Sequence, residues 1–470
     1  MAVTLTAGFM SLLDVSIVTL ALPSIQDGLD ASVSGTQWIV SGYALTFGLV
    51  LVTGGRLGDA FGRRRMFLVA LSAFVLTSGI AGASSSEEML IAARLAQGVA
   101  AGMLTPQNTG LIQELFHGAE RGRAFGMFGA TVGLSTAIGP VLGGVIIAAF
   151  GDDGWRWVFY VNLPIGLVAL ALAARWLPTS APRRKGILAD LDVLGMLLLG
   201  LAVLGVLLPL VNSEQGGLAR LWWMFPLAAA FGWLFVRWER VLVRRGRAPV
   251  LHPRLYTDTP GYAIGAAIGA VYFCGFAGMW LVFAMFFQQG LGFSPLVSGL
   301  LVTPCALGSA VASAFAGRAV ARWGTRVTIT GLVLSALGLA LVAVLVPVVP
   351  DAALGWAVAS SLLLTGIGGG MVISPNTTFT LDRVPTAMAG VAGAALQTGQ
   401  RLGTAVGVAV LASAFHAGGT DGDGYRTGLM LAMVCAVAFT LVALTLAVLD
   451  ARRNPRRRLA TRPAEAGPST

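Results

Sequence analysis

The chain has 470 residues, of which 56% are hydrophobic and only 11% charged, with a mean hydropathy of +0.80. Soluble domains carry about a quarter of their residues as charges, so this composition describes an integral membrane protein. The formal net charge of +10 raises the question of nucleic-acid binding, and its distribution along the chain rules that out.

A helix that crosses a bilayer needs about 20 apolar residues. Such runs fall near 3–25, 36–55, 66–83, 88–111, 124–150, 156–177, 191–212, 219–237, 259–287, 296–316, 327–348, 352–375, 386–415 and 427–449. An all-α membrane fold of fourteen helices is therefore expected; the short alternating segments of a membrane β-barrel are missing. The first run is too long for a cleavable signal and is expected to act as its own insertion signal. Cys274, Cys305 and Cys435 lie inside runs; an odd number in such places builds no disulfide framework, and they read as packing residues.

With the chain start placed in the cytoplasm, 26 of the 31 Lys and Arg fall in cytoplasmic segments. Arg156, Arg220 and Arg426 fall outside, and Arg94 and Arg401 lie within runs. That split is the positive-inside rule, which puts both termini in the cytoplasm and demands an even number of helices. The basic charge is a topology signal. The expected surroundings are the lipids of a bacterial plasma membrane, with no nucleic-acid partner and no second subunit.

In the first run, LLDVSIVTLALP at 12–23, Asp14 is the one ionisable side chain between Met1 and Ile25. An acid near mid-membrane costs at least about 2.5 kcal/mol to insert, and such residues mark functional sites. A static hydrogen bond to a neighbouring helix is the plainer role, but Asn or Ser would fill it at lower cost. At 1.5 Å per residue, Asp14 lies about 16 Å from the inner side and Arg94 about 21 Å, so the two can meet if their helices are neighbours. A nearby cation and burial pull on a carboxyl in opposite directions, so small movements can change its protonation, as a proton-coupled step requires. Asp59, Glu87, Glu88, Glu114, Asp152, Asp190, Asp192, Asp382 and Asp421 lie at helix ends or outside the core, which leaves Asp14 as the deep carboxylate. One deep acid against two deep arginines favours a neutral, zwitterionic or acidic substrate over a dication.

The runs group into an N-terminal six-helix bundle (1–178), two inserted helices with a basic linker (179–258), a C-terminal six-helix bundle (259–450) and a basic tail (451–470). The linker RWERVLVRRGRAPVLHPRLYTD at 237–258 suits a helix lying on the anionic inner leaflet. The bundles look like repeats. GRLGDAFGRRR at 55–65 aligns with GRAVARWGTR at 317–326, pairing Gly55 with Gly317, Arg56 with Arg318, Gly62 with Gly324 and Arg64 with Arg326. GVAAGMLTPQNT at 98–109 resembles GIGGGMVISPNT at 366–377 with a one-residue slip. Two parallel six-helix repeats are the plan of a secondary transporter that holds substrate near mid-membrane between its halves.

Five strings in order, LDVSIVTLALP, GRLGDAFGRRR, RLAQGVAAG, GLSTAIGPVLGG and WRWVFYVNLPIG, resemble the motifs of the fourteen-helix drug:proton antiporters of the major facilitator superfamily. The resemblance runs from Leu5 to about Leu449. It implies the major facilitator fold, two six-helix bundles plus two inserted helices, and proton-coupled export of drug-like or antibiotic small molecules by alternating access, without enzyme chemistry or a cofactor. It implies proton-coupling roles for Asp14 and Arg94. It also implies a gating latch at Gly55, Gly58, Asp59, Gly62 and Arg63, with Asp59 bonded to a neighbouring helix start or to a loop arginine. The second copy has Ala321 in place of Asp59 and should latch more weakly. Gly126, Gly129, Gly133, Gly139, Gly143 and Gly144 are expected to give the run at 124–150 a smooth face, bent at Pro140, since small residues spaced by four let helix backbones approach in lipid. The resemblance implies that this face, with its gating residues Gly139, Pro140, Gly143 and Gly144, seals the halves.

A drug pocket is mostly apolar with a few polar anchors. Gln97, Gln107, Asn108, Gln288, Gln289, Asn376, Gln397, Gln400 and Arg401 are the candidate anchors, with Trp38, Tyr43 and Phe286 as aromatic walls. For each polar residue, bonding between helices is the competing role. QTGQRLGTAVG departs from the family's more usual order of Arg then Gln, so no family role carries over to Arg401. Nothing resembles a channel filter or a ring of like charges. His117, His252 and His416 are scattered, without metal-ligand spacing or a nucleophile elbow. A lipid or siderophore exporter, or a proton symporter for a nutrient, remains open on the same fold.

Overall fold

The computed structural model describes residues 1–178, 192–212, 216–247, 249–385, 388–419 and 422–453. Residues 454–470 of the tail expected over 451–470, and most of the PTSAPRRKG loop, lie outside them. Helices follow one another from the start: α1 (Ala2–Leu29), α2 (Val33–Phe61), α3 (Arg63–Gly82), α4 (Glu87–Leu115) and α5 (Gly118–Phe150). A short α6 (Gly154–Tyr160) runs on through one turn residue into α7 (Asn162–Trp176). Then come α8 (Val193–Val211), the short α9 (Gly217–Arg220), α10 (Met224–Arg244) and the short α11 (Arg254–Thr257). The last group is α12 (Tyr262–Met285), extended by a π-helical turn (Phe286–Gly290), α13 (Pro295–Trp323), α14 (Arg326–Leu345), α15 (Asp351–Leu381), α16 (Ala389–Ala417) and α17 (Gly422–Arg453).

Among the described residues, twelve spans are long and apolar enough to cross a membrane. α10 and α16 have the length but are diluted by Arg237, Glu239 and Arg240 in one and Gln397, Gln400 and Arg401 in the other. With them the fourteen expected helices are all present.

Local chemistry sets the breaks. Ser32, Ser86 and Ser294 cap α2, α4 and α13 by accepting from the backbone N–H three residues on, and Pro295 follows at the first position of α13. Gly62 (φ 96°) and Gly324 (φ 57°) hold the sharp α2–α3 and α13–α14 turns at the two positions paired by the sequence repeat.

One apolar core joins α1 to α4 with α6 and α7, and another joins α12 to α17. The two bundles meet along α5 with α13 and α2 with α16. The approach is too close for side chains: a Cβ at Gly126 would lie 2.9 Å from Cα of Gly317, and one at Gly55 would lie 2.8 Å from the Gly390 carbonyl oxygen. The inserted helix α8 lies across the α2–α16 seam, where Val203 and Leu207 pack with Leu45, Ala405 and Ala409. α10 packs behind it.

Among the described residues, the hydrogen bonds that cross between the bundles lie at the end where α1 begins and α17 stops, called here the near end. Val391 N donates to Asp59 Oδ2 (3.1 Å), Gln113 Nε2 to Ala389 O (3.2 Å), Gln397 Nε2 to Thr109 Oγ1 (2.9 Å) and Arg121 to Asp382 O (3.3 Å). Between the outer parts of α12 and α16 an open cavity of about 560 Å³ is lined by Leu281, Met285, Gln289, Ala409, Ala412, Ser413 and His416. The near end is closed.

A second buried polar cluster ties the insert to its linker. Asp192 caps α8 by accepting from Gly195 N (2.8 Å) and from Trp238 Nε1 (2.7 Å). Glu239, two residues past the apolar run at 219–237, accepts from Val250 N and Leu251 N, both at 3.2 Å. Burial, then a bond with Asp192, pushes Glu239 up to about 8. An acid whose folded value is raised stabilises the docked linker most at low pH, and that contribution is lost as pH rises through the folded value. Tryptic cleavage at the linker arginines should therefore rise between about pH 7 and 9 relative to Glu239→Gln, whose linker has no carboxyl to ionise. Equal pH profiles for the two proteins would refute this. Separately, Gly317→Leu should part α5 from α13, read as a longer distance between spin labels at the near ends of those helices.

Candidate functional site

Four helices bring polar side chains to one point inside the N-terminal bundle. α1 supplies Asp14, α4 supplies Arg94 and Gln97 from one face, α7 supplies Asn162 from its first turn, and α3 supplies Ser78. Asp14, Gln97, Asn162 and Ser78 are 0% exposed and Arg94 is 1% exposed. Arg94 donates through NH1 to Asp14 Oδ2 at 2.6 Å and to Gln97 Oε1 at 2.6 Å. Asp14 Oδ1 accepts from Gln97 Nε2 (3.0 Å) and Asn162 Nδ2 (2.9 Å). Asn162 Nδ2 also donates to Ser78 Oγ (3.0 Å), which donates to Phe159 O (3.0 Å). Arg94 Nε donates to Ile39 O (3.1 Å), so α2 is held as well.

The geometry explains how a full charge pair survives in hydrocarbon. Both carboxylate oxygens are bonded and the guanidinium is shared among an acid, an amide and a carbonyl, which offsets the desolvation of both ions. The Tyr43 ring closes the open side, 4.2 Å from Arg94 Cζ. From Tyr43 a line of rings continues: Tyr43 stacks on Phe47 at 6.1 Å, and Arg401 of α16 sits 4.5 Å from the Phe47 centroid. Among the described residues the buried Tyr43 hydroxyl has no hydrogen-bond partner.

The expected latch residues divide by neighbour. Asp59 Oδ1 accepts from Arg63 NH2 (2.8 Å), and Arg63 also pairs with Glu114 (3.2 Å). Gly55 faces Gly390 of the other bundle, whereas Gly58 faces Gln107 of α4 in its own. Of the expected sealing face, Gly139 lies against Ser16 of α1, Gly143 against Ile17 and Leu20, and Gly144 against Leu20. The expected face thus divides: Gly139, Gly143 and Gly144 pack α5 on α1 within one bundle, which corrects their part of the expectation, while Gly126, Gly129 and Gly133, with Gly122, make the half-to-half contact earlier in α5. The reason is helix rotation, since the two sets sit on different faces. The side chains of Pro140 and Ala321 lie outside the described residues.

The expected cavity residues scatter. Gln397 bonds across the bundles to Thr109, and Gln400 and Arg401 lie partly buried on the same stretch of α16. Trp38 is partly buried against the insert. Four expectations need correction. Gln107 Nε2 donates to Gly54 O (2.8 Å) and ties α4 to α2; Asn376 Nδ2 donates to Gly265 O (2.9 Å) and ties α15 to α12. Phe286 is 0% exposed in the core of the C-terminal bundle with Phe283, Phe287 and Phe415. Gln288 is exposed at the π-helical turn. Gln289 lines the open cavity away from the near end, and Asn108 is buried with Oδ1 unbonded. Asn162 and Ser78 were not singled out in the sequence; a lone Asn in WRWVFYVNLPIG was the available signal.

Removing one partner of a buried ion pair strands the other. Asp14→Ala or Arg94→Ala should destabilise the purified protein by about 3–5 kcal/mol, while Asp14→Asn with Arg94→Gln together should cost less than either alone. Thermal unfolding in detergent reads this out.

Comparison with known proteins agrees with this architecture. The chain is 36% identical over 422 residues to a protein of Streptomyces coelicolor described as a probable actinorhodin transporter, covering 88% of this chain and 72% of the relative. It is 35% identical over 417 residues to the puromycin resistance protein of Streptomyces alboniger, covering 87% and 80%. Among solved structures, a proton:xylose symporter superimposes with a TM-score of 0.63 at 17% identity, over 94% of this chain and 93% of that one, a likeness of fold. The Major Facilitator Superfamily model matches residues 4–408, and with two helical bundles packed through glycine seams and a buried carboxylate inside the first, the chain belongs to the major facilitator superfamily.

Proposed function

We propose that this protein is a proton-coupled exporter of drug-like or antibiotic small molecules, working as a monomer in the plasma membrane of a bacterium with both termini in the cytoplasm. The bundles 1–178 and 259–450 are the rocking units, and 179–258 is an insert that braces one seam. The buried Asp14–Arg94 pair is the observation that carries this reading. Arg94 is held by a charge, so a proton on Asp14 leaves an uncompensated guanidinium in a dry site, an arrangement that must rearrange. Protonation is thereby tied to the packing of α1, α3, α4 and α7. The descriptions of the relatives as antibiotic transport and resistance proteins support export, and the positive-inside split supports the orientation. In that orientation the closed near end is cytoplasmic, and the conformation is the one that releases substrate outward. Asp59, bonded to both Arg63 and the start of α16, is the latch that holds it.

Expression in a host stripped of its own efflux pumps tests the reading. Accumulation of puromycin and a panel of other antibiotics should fall, and an uncoupler should restore it. Asp14→Asn should abolish the protection to the level of an empty vector while the protein still reaches the membrane. Protection that survives either the uncoupler or Asp14→Asn would sink the proton-coupled reading. Asp59→Asn should weaken export several-fold rather than abolish it.

A further inference from the structure

Arg401 is a cation in mid-helix that lacks a counter-ion. Among the described residues it makes no ion pair and no hydrogen bond; its guanidinium rests on the Phe47 ring, 4.5 Å away across the meeting of the two bundles. A positive charge at such a depth costs at least about 2.5 kcal/mol, and a cation–π contact with one ring returns only about 0.5–2 kcal/mol. Tyr43, one turn from Phe47 on α2 and within electrostatic reach of Arg401, has an unmet need of the complementary kind. It is 4% exposed, and its hydroxyl has no acceptor among the described residues. A free cation and a free O–H donor call for the same thing, an oxyanion.

Arg94 is not the group that needs one, because Asp14 already neutralises it. The demand falls at Arg401, on the C-terminal side of the seam, beside the stacked Tyr43 and Phe47 rings. Those rings are buried, 4% and 6% exposed, and put aromatic surface next to the charge. α8 covers the α2–α16 seam from outside, which separates this spot from lipid tails on that side. We propose that the central site takes an anionic aromatic small molecule, a carboxylate or phenolate, with its charge on Arg401 and a hydrogen bond from Tyr43. The proposal deepens the export reading by giving the substrate a charge class, and it rests on that reading for the site being a substrate site.

Binding can be tested without any gradient. The purified full chain in phosphatidylcholine nanodiscs is titrated into two xanthene dyes of similar shape, anionic fluorescein and cationic rhodamine 6G, and read by fluorescence anisotropy. Fluorescein should bind saturably, and rhodamine 6G at least about tenfold more weakly. Arg401→Gln should weaken fluorescein binding about 10- to 100-fold, Arg401→Lys should keep part of it, and Tyr43→Phe should cost about three- to tenfold. Rhodamine 6G binding as well as fluorescein, no saturable fluorescein binding, or no change in Arg401→Gln would each overturn the proposal. So would displacement of fluorescein by phosphatidylglycerol added to the discs, which would make the occupant a lipid phosphate. If Arg401→Gln does not fold, the dye comparison on the unaltered chain and the Tyr43→Phe titration still decide. A chain that binds fluorescein through Arg401 yet gives no antibiotic protection overturns export alone; one that exports cationic drugs and ignores fluorescein overturns this proposal alone.

Discussion

A charged pair in a membrane interior survives only if the protein bonds every part of it, and the N-terminal bundle is arranged to satisfy Asp14 and Arg94. No single helix can do this. The carboxylate takes donors from α4 and α7, the guanidinium takes acceptors from α1, α2 and α4, and Ser78 of α3 secures the amide that secures the acid. The same bonds that make the pair tolerable make it rigid. A rigid network held together by one carboxylate is the element on which the proposed proton coupling rests.

The seams between bundles work by the opposite logic. They carry few polar bonds and many close backbone approaches, at Gly55 with Gly390 and at Gly122 and Gly126 with Gly317. Smooth surfaces of this kind pack well in one position and part without stranding buried polar groups. The proposed latch around Asp59 adds direction. It joins the end of α2, the start of α3 and the start of α16, so closing the near end depends on a short list of bonds at one end of the molecule. α8, lying across α2 and α16, gives one seam a brace, while the described contacts of α8 leave α5 and α13 without one. That asymmetry is a consequence of inserting two helices into a twofold plan.

Much of the candidate site could be read before the fold was known. Asp14 stands alone in an apolar run, and counting residues from each membrane face put it within reach of Arg94, which the 2.6 Å bond bears out. The partners that complete the network could not be read the same way. Asn162 lies on a helix far along the chain, and a neutral amide leaves little trace in composition or charge. Gln97 stood out as polar but not as a ligand of Asp14. Phe286 failed as a cavity wall for a related reason: an apolar membrane helix shows no hydrophobic face, so lipid, core and cavity sides look alike in the sequence. The glycines of α5 were visible as a set, but which of them face α1 and which face α13 depends on helix rotation that only packing decides.

The sequence by itself determined the membrane environment, the number of helices, the charge asymmetry across the bilayer, the internal repeat and the isolation of one deep acid. Each follows from the cost of placing polar groups in hydrocarbon, a cost paid residue by residue and therefore legible in order along the chain. The tertiary structure decided which polar groups answer one another. It paired Asp59 with the start of α16, set the small glycines of α5 against two different helices, and, among the described residues, left Arg401 without a counter-ion and the Tyr43 hydroxyl without a hydrogen-bond partner. Those outcomes depend on the rotation and spacing of helices packed in three dimensions, and no run of residues carries that information alone.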